Sequence, residues 1–340
     1  MMNAKERLLT VLKGEKADRV PCICPGGMMN MIITELMEET GIDWPEAHLD
    51  AEKMADLAGA VETKGLFENV GVPFCMTVEA ESLGATVNMG DKKFEPRVVD
   101  YVLTSVVDHE SLKLGAVNEG RAKVNTDAIS ILKERKPDVP VIGNLAGPVS
   151  VASSIMEPTV YYKELRRSPR EAHLYMEKVT QQILDFGVAQ IRAGADIIAI
   201  SDPSGTGELL GPKFFKEYAV TYNNMLIDGL RAEAPEVPVI LHICGHMHSV
   251  YEELKLLNAD AYSFDAIVSI RDLRKHMPGK VLMGNISSFG LESSDPQRVE
   301  TMTRSVMKAG IDIVSPACGL GTTSTMENIQ TILKTVKAES

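Results

Sequence analysis

Tryptophan is almost missing from this chain. One Trp stands among 340 residues with 8 Phe and 8 Tyr, and aromatic side chains make up 5% of the total. An aromatic-rich core is therefore excluded, and 18 Met residues point to an aliphatic, thioether-rich interior. Clusters of Lys and Arg are also missing. The 35 basic residues face 47 acidic ones, a net charge of −12 with His neutral, which repels a phosphate backbone and excludes nucleic-acid binding as the function. No apolar run approaches the ~20 residues of a membrane helix, so a membrane-spanning role is excluded too. The chain runs directly into Asn3-Ala4-Lys5-Glu6-Arg7, without the apolar stretch of a secretory signal. The five Cys (Cys22, Cys24, Cys75, Cys244 and Cys318) are odd in number and widely spaced. That is no disulfide framework, and it implies reduced thiols in the cytoplasm.

What is present is a soluble globular composition, 44% hydrophobic and 24% charged. The length allows two domains or one large α/β barrel. Apolar spacing predicts a helix over 3–13 ending at Gly14, a short strand over 20–25, and a helix over 45–65. Residues 73–104 are strand-prone with a turn signal from Asn88 to Asp91, and are expected to form a β-hairpin excursion. From 121 onward helices and strands alternate. Strands are predicted at 139–147, 195–203, 237–245, 259–266, 280–286 and 311–319, with helices between them and a last helix at 324–338. These strands are apolar almost throughout, as parallel strands buried on both faces are. A doubly wound open sheet is the rival, but no G-x-G-x-x-G follows any strand. The expected fold is a single (β/α)8 TIM barrel spanning 1–340, with the hairpin inserted at about 73–104.

Polar residues fall at one place in this rhythm. Asn144, Ser201-Asp202, His242 with Cys244, Asp265, Asn285 and Cys318 all sit at or just past the C-terminal end of a predicted strand. In a barrel that rim carries the catalytic groups. Any one of them could instead cap the next helix, and Asp202 could brace the Pro203–Gly207 loop. His242 and Cys244 are two apart on one strand, so they face the same side, and Cys318 leaves a later strand on the same rim. Two thiolates and an imidazole suit Zn²⁺, and three protein ligands leave a fourth position open, as catalytic zinc sites do. The bland alternative is three unrelated core or capping residues. His246 follows closely and is either a solvent-facing helix residue or a contact to a ligand above the metal. Cys22, Cys24 and Cys75 have no assigned task. Gly26-Gly27 before a helix start is a tight turn, or a set of backbone N–H groups able to hold an anion.

The segments KERLLTVLKGEKADRVP, GNLAGPVSVAS, IIAISDPSGTGELLGPKFFKEY and VLMGN together resemble the uroporphyrinogen decarboxylase superfamily over nearly the whole chain. Within it, HIC and the distant Cys look like the branch of zinc-dependent methylcobamide:coenzyme M methyltransferases. That resemblance implies His242, Cys244 and Cys318 as zinc ligands. CGLGTTS is also similar to the zinc-binding segment of cobalamin-independent methionine synthases. The decarboxylases carry a Trp and further Arg residues in the segment that here reads DRVPCICPGGMMNMI, which keeps only Arg19 and Pro21. A substrate with eight carboxylates needs that positive charge, so uroporphyrinogen decarboxylation is disfavoured.

The resemblance implies transfer of a methyl group from a methylated corrinoid to a thiol in one-carbon metabolism of the methanogenic kind, with coenzyme M as the expected acceptor. Methylcobalamin, or a separate methylated corrinoid protein, is the expected donor, because no D-x-H-x-x-G corrinoid motif is present. Asp265 or Asp202 would support the metal or serve as a transient fourth ligand. Asn285 and Asn144 would orient substrate or ligands, and Gly26-Gly27 would receive a sulfonate. Homocysteine or another thiol is the alternative acceptor. A metal-free decarboxylase and a non-catalytic zinc-stabilised binding protein are the alternatives of other classes.

Overall fold

A computed structural model of the chain describes residues 2–339. Nine strands form: β1 (Val70–Val72), β2 (Thr86–Asn88), β3 (Arg97–Asp100), β4 (Val141–Ala146), β5 (Ile197–Ser201), β6 (Val239–Ile243), β7 (Ala261–Phe264), β8 (Val281–Ile286) and β9 (Ile313–Pro316). Seven of them make one parallel sheet in the order β1-β4-β5-β6-β7-β8-β9. Every residue of these seven strands is buried. This follows from their composition: Val, Ile, Leu and Ala pack on the barrel interior on one face and on the helices on the other.

The eighth position belongs to residues 20–25. Ile23 N donates to Val314 O at 3.0 Å and Val314 N to Pro21 O at 2.9 Å, which joins this segment to β9. On its other side Glu68 N donates to Cys22 O at 2.9 Å, and the Asn69 amide bonds both Cys24 N (2.9 Å) and Cys24 O (2.7 Å) ahead of β1. The circle of a (β/α)8 barrel is thus closed. Only an isolated bridge forms here, between Cys22 and Val314, because Pro21 and Pro25 lack the N–H that a full ladder needs.

The excursion differs from a plain hairpin. Residues 73–104 hold a short helix, Val78–Ser82, and then the antiparallel pair β2–β3 as a separate sheet. The expected turn is present and longer: Asn88 Oδ1 accepts from Gly90 N, and Asp91 Oδ1 from Lys93 N and Phe94 N. One predicted helix is also interrupted. The stretch 45–65 divides into Trp44–Ala47 and Ala51–Thr63, because Asp50 caps the second by accepting from Lys53 N at 3.0 Å. Between β5 and β6 the helical stretch runs unbroken from Pro212 to Glu233, with a widened π-turn at Phe215–Val220 and a kink just before it at Gly211 (φ +64°). The first helix, Ala4–Leu12, is closed by a reciprocal capping box of Asn3 and Glu6.

Candidate metal centre

Three side chains meet at the C-terminal mouth of the barrel. His242 is the fourth residue of β6, Cys244 lies just past its end, and Cys318 lies two residues past β9. The alternation of β6 explains the first pair: His242 Nε2 lies 3.0 Å from Cys244 Sγ. Cys244 Sγ and Cys318 Sγ are 3.6 Å apart, both as free thiols. All three ligand atoms lie within 4.8 Å of one another. A tetrahedral ion with ordinary Zn–S bonds holds two sulfurs about 3.8 Å apart, so the residues present fit such an ion.

The two sulfurs are within hydrogen-bonding distance of each other. Hydrogen bonding from Cys244, with the His242 imidazole helping, pulls the Cys318 thiol down to about 5 against the opposing effect of burial. The same bond to Cys318, then burial, pushes Cys244 up. Of the two sulfurs, Cys318 is therefore the one that gives up its proton more readily. His242 is buried, and its Nδ1 lies 2.9 Å from Ser263 Oγ on the neighbouring strand, where the two residues are in register. That contact fixes the ring plane so that Nε2 points at the sulfurs.

The other expected site residues have different surroundings. Asp265 is not among the three clustered ligands. Its Oδ2 accepts from Gly245 N at 3.4 Å and its Oδ1 from Ile267 N at 3.2 Å, so it steadies the loop that carries Cys244. Asn285 donates to Asp265 O and Val268 O, both at 2.9 Å, and so holds the loop that carries Asp265 from the next strand. Asp202 is fully buried, with Oδ1 accepting from Ser150 N (2.8 Å) and Ser150 Oγ (2.7 Å) and Oδ2 from Asn223 Nδ2 (2.9 Å). It caps the helix Pro148–Ser154, whose own N-cap, Gly147, has no side chain to do so. The bracing alternative describes Asp202, and a catalytic role has no contact to support it. His246 is exposed, and its Nε2 lies 3.4 Å from Glu208 Oε1 at the rim.

Gly26 and Gly27 do not form an anion site. Gly26 N donates to Met29 O at 3.2 Å and Gly27 N to Pro73 O at 2.8 Å, so neither N–H is free for a sulfonate. The glycines are required for another reason. Both have positive φ, and a Cβ at either would stand 2.7–2.9 Å from the Asn144 side chain. Asn144 donates to Pro25 O (2.9 Å), Val72 O (3.2 Å) and Ile142 O (3.2 Å), and so ties the turn to the barrel instead of facing a ligand.

Four residues near the cluster carry no sequence motif. Ser263 is visible only as a polar residue in an apolar strand. Met29 packs its sulfur 3.8 Å from Ser263 Oγ. Cys24 donates its thiol to Met29 O at 3.0 Å and is pushed up by burial and by nearby Cys318. Glu95, from the loop between β2 and β3, is pushed up to about 8 by burial, with Cys75 and Cys318 adding to the effect. The excursion therefore reaches over the barrel mouth, which no strand pattern announces.

A parallel α/β barrel with two thiols and an imidazole at its mouth defines the class: a barrel protein whose rim brings together three side chains with ligand atoms close enough to share one ion. The chain belongs to the uroporphyrinogen decarboxylase (URO-D) family, which matches residues 3–339. It is 32% identical over 335 residues to the methylcobamide:CoM methyltransferase MtbA of Methanosarcina acetivorans, covering 98% of this chain and 97% of that one. A uroporphyrinogen decarboxylase of Hydrogenobaculum sp. is 27% identical over 248 residues, 70% of each chain. Among solved structures, a methyltransferase from Methanosarcina mazei superposes with a TM-score of 0.93 at 29% identity, over 100% of this chain and 99% of that one.

Proposed function

We propose that this chain, a methyltransferase, carries a methyl group from a methylated corrinoid to a thiol at a zinc ion held by His242, Cys244 and Cys318, with coenzyme M as the acceptor. The observation that carries this reading is the clustering of one imidazole and two thiols within 4.8 Å at the barrel mouth. The end-to-end match to methyltransferases, against the partial match to a decarboxylase, supports the same direction. When bound there, Zn²⁺ supplies a Lewis acid that favours the thiolate form of a coordinated thiol at neutral pH.

The chain's own residues prepare that chemistry. Cys244 and Cys318 bring two negative charges when deprotonated, which balance a divalent cation. His242, in contact with Ser263 Oγ at Nδ1, presents Nε2. Asp265 steadies the Cys244 loop through Gly245 N, and Asn285 holds the loop of Asp265 through Asp265 O and Val268 O. The methyl group passes from cobalt to sulfur without its bonding electrons, and cobalt keeps the pair as Co(I). No proton has to be delivered, in agreement with a site whose aspartates hold loops.

The donor in this reading is carried by a separate corrinoid protein that docks at the mouth transiently, and the reaction is cytoplasmic. No described helix is long and apolar enough to cross a membrane. Metal analysis tests the proposal first: about one zinc per chain is expected, and its loss in Cys318→Ser. An active metal-free protein would refute it. Free methylcobalamin with coenzyme M, homocysteine or other thiols, followed by cobalamin absorbance, then identifies the acceptor.

A further inference from the structure

At the end of the barrel opposite the metal cluster, one contact occurs four times. Glu68, Asp196, Asp260 and Asp312 stand before every second strand of the barrel, Glu68 two residues ahead of β1 and the others directly ahead of β5, β7 and β9. Each binds both polar groups of one residue at the start of the preceding strand. Its backbone N donates to the carbonyl of Cys22 (2.9 Å), Val141 (2.8 Å), Val239 (2.9 Å) or Leu282 (3.0 Å). Its carboxylate accepts from the N–H of that same residue, at 3.0, 3.0, 2.7 and 2.8 Å in the same order. In a regular parallel ladder that N–H would meet the carbonyl two residues before the acid. The chain is still turning there, and Asn258 O and Gly310 O accept instead from the guanidinium groups of Arg231 and Arg274. The carboxylate takes the place of that carbonyl and adds one rung to the ladder.

The surroundings repeat with the contact. Pro21, Pro140 and Pro238 precede three of the four tied residues, so the tied N–H is the first those strands can donate. The pattern P-x-V-P-V stands at 137–141 and again at 235–239. A cation reaches each carboxylate from the helix that leads into the tied strand: Arg7, Lys133, Arg231 and Arg274. Asp260 and Arg231 keep 29% and 33% of their side-chain surface exposed, so this ion pair contributes less than the bond to the amide. From each tie to the mouth both strands count three residues. Val239 leads to His242 and Asp260 to Ser263, which are partners in register, as are Asn144 with Ala199 and Asn285 with Ser315. A slip of one residue would turn every side chain of a strand to its other face.

We infer that the four carboxylates form one repeated register lock, which joins the barrel strands in pairs and sets the level at which His242 meets Ser263. All its atoms lie at the far end of the barrel from the metal cluster, so it stands whether or not a metal is held there. The test uses the full chain, with native-state hydrogen exchange of the Val239 amide and urea denaturation. Asp260→Ala removes the acceptor. It should speed Val239 exchange about tenfold or more and lower the folding equilibrium constant about ten- to a hundredfold, the loss of one hydrogen bond to a charged group. Asp260→Asn keeps an oxygen for Val239 N and should restore most of both. Arg231→Met removes only the cation and should change either by less than about threefold. Asp312→Ala should repeat the effect at the Leu282 amide and leave Val239 as it was; it decides the matter with Asp260→Asn if Asp260→Ala does not fold. Unchanged Val239 exchange in folded Asp260→Ala, or Arg231→Met as damaging as Asp260→Ala, would overturn the inference. An effect at Asp260 with no counterpart at Asp312 would overturn the repetition.

Discussion

Glu79 ties the stability of the barrel mouth to pH. It lies on the short helix Val78–Ser82 and is buried, with Oε1 accepting from Ala146 N at 2.7 Å and Oε2 without a hydrogen bond. Burial raises its carboxyl from an ordinary 4.5 to about 7. The folded protein therefore binds this proton more tightly than the unfolded chain. The resulting stability is complete below 4.5 and is lost as pH rises through 7. At ~1.4 kcal/mol per unit, the 2.5-unit rise corresponds to roughly 3 kcal/mol by pH 8, as an upper bound. Glu79→Gln keeps the acceptor for Ala146 N and cannot ionise. Urea denaturation of metal-free wild type and variant should give equal stabilities near pH 4.5. A gap should then open between pH 5 and 7, with Glu79→Gln up to about 3 kcal/mol the more stable at pH 8. Parallel stability curves across that range would refute the argument.

Three further outcomes follow from contacts at the mouth. Asp202→Ala strips the buried cap from Ser150 and Asn223 and should cost about 3 kcal/mol in chemical denaturation. The protein that remains folded should still bind one equivalent of zinc, and a loss of binding would restore Asp202 to the metal site. Gly26→Ala forces a Cβ to 2.7 Å from Asn144 Nδ2 at φ +107° and should cost ~2 kcal/mol or more, visible as a lower Tm. Cys318→Ser should leave Tm of the metal-free protein within a few degrees while reducing bound zinc from about one per chain to near zero, measured by elemental analysis.

The residues differ in how much of their position is legible from the chain alone. His242 and Cys244 are legible because strand alternation is a local rule, and Cys318 because a parallel barrel places strand ends on one rim. Six strands of the seven-stranded sheet follow from the same apolar runs, while β1, only Val70–Val72, is too short to show as one. The eighth strand is weaker than its pattern suggests, since Pro21 and Pro25 leave it with a single bridge. Asp202, Asn144 and Asn285 stand at strand ends as site residues would, yet their partners are backbone and side-chain groups of neighbouring loops. Position at the rim does not distinguish a capping carboxylate from a catalytic one; only the far partner does. Glu95 and Met29 are illegible for the opposite reason: each reaches the centre from an irregular segment, through contacts that no periodicity encodes. The many methionines first indicate only a soft core, and one of them, Met29, stands behind Ser263 and His242.

In the function proposed, methyl transfer depends on an ion held by Cys244, Cys318 and His242. The most direct measurement is the rate of methylcobalamin demethylation by coenzyme M, followed by absorbance, with the same protein before and after metal removal and after zinc return. The account predicts demethylation that disappears with the metal, returns with one equivalent of zinc, and does not return in Cys318→Ser. Demethylation at an unchanged rate in the metal-stripped protein would contradict it.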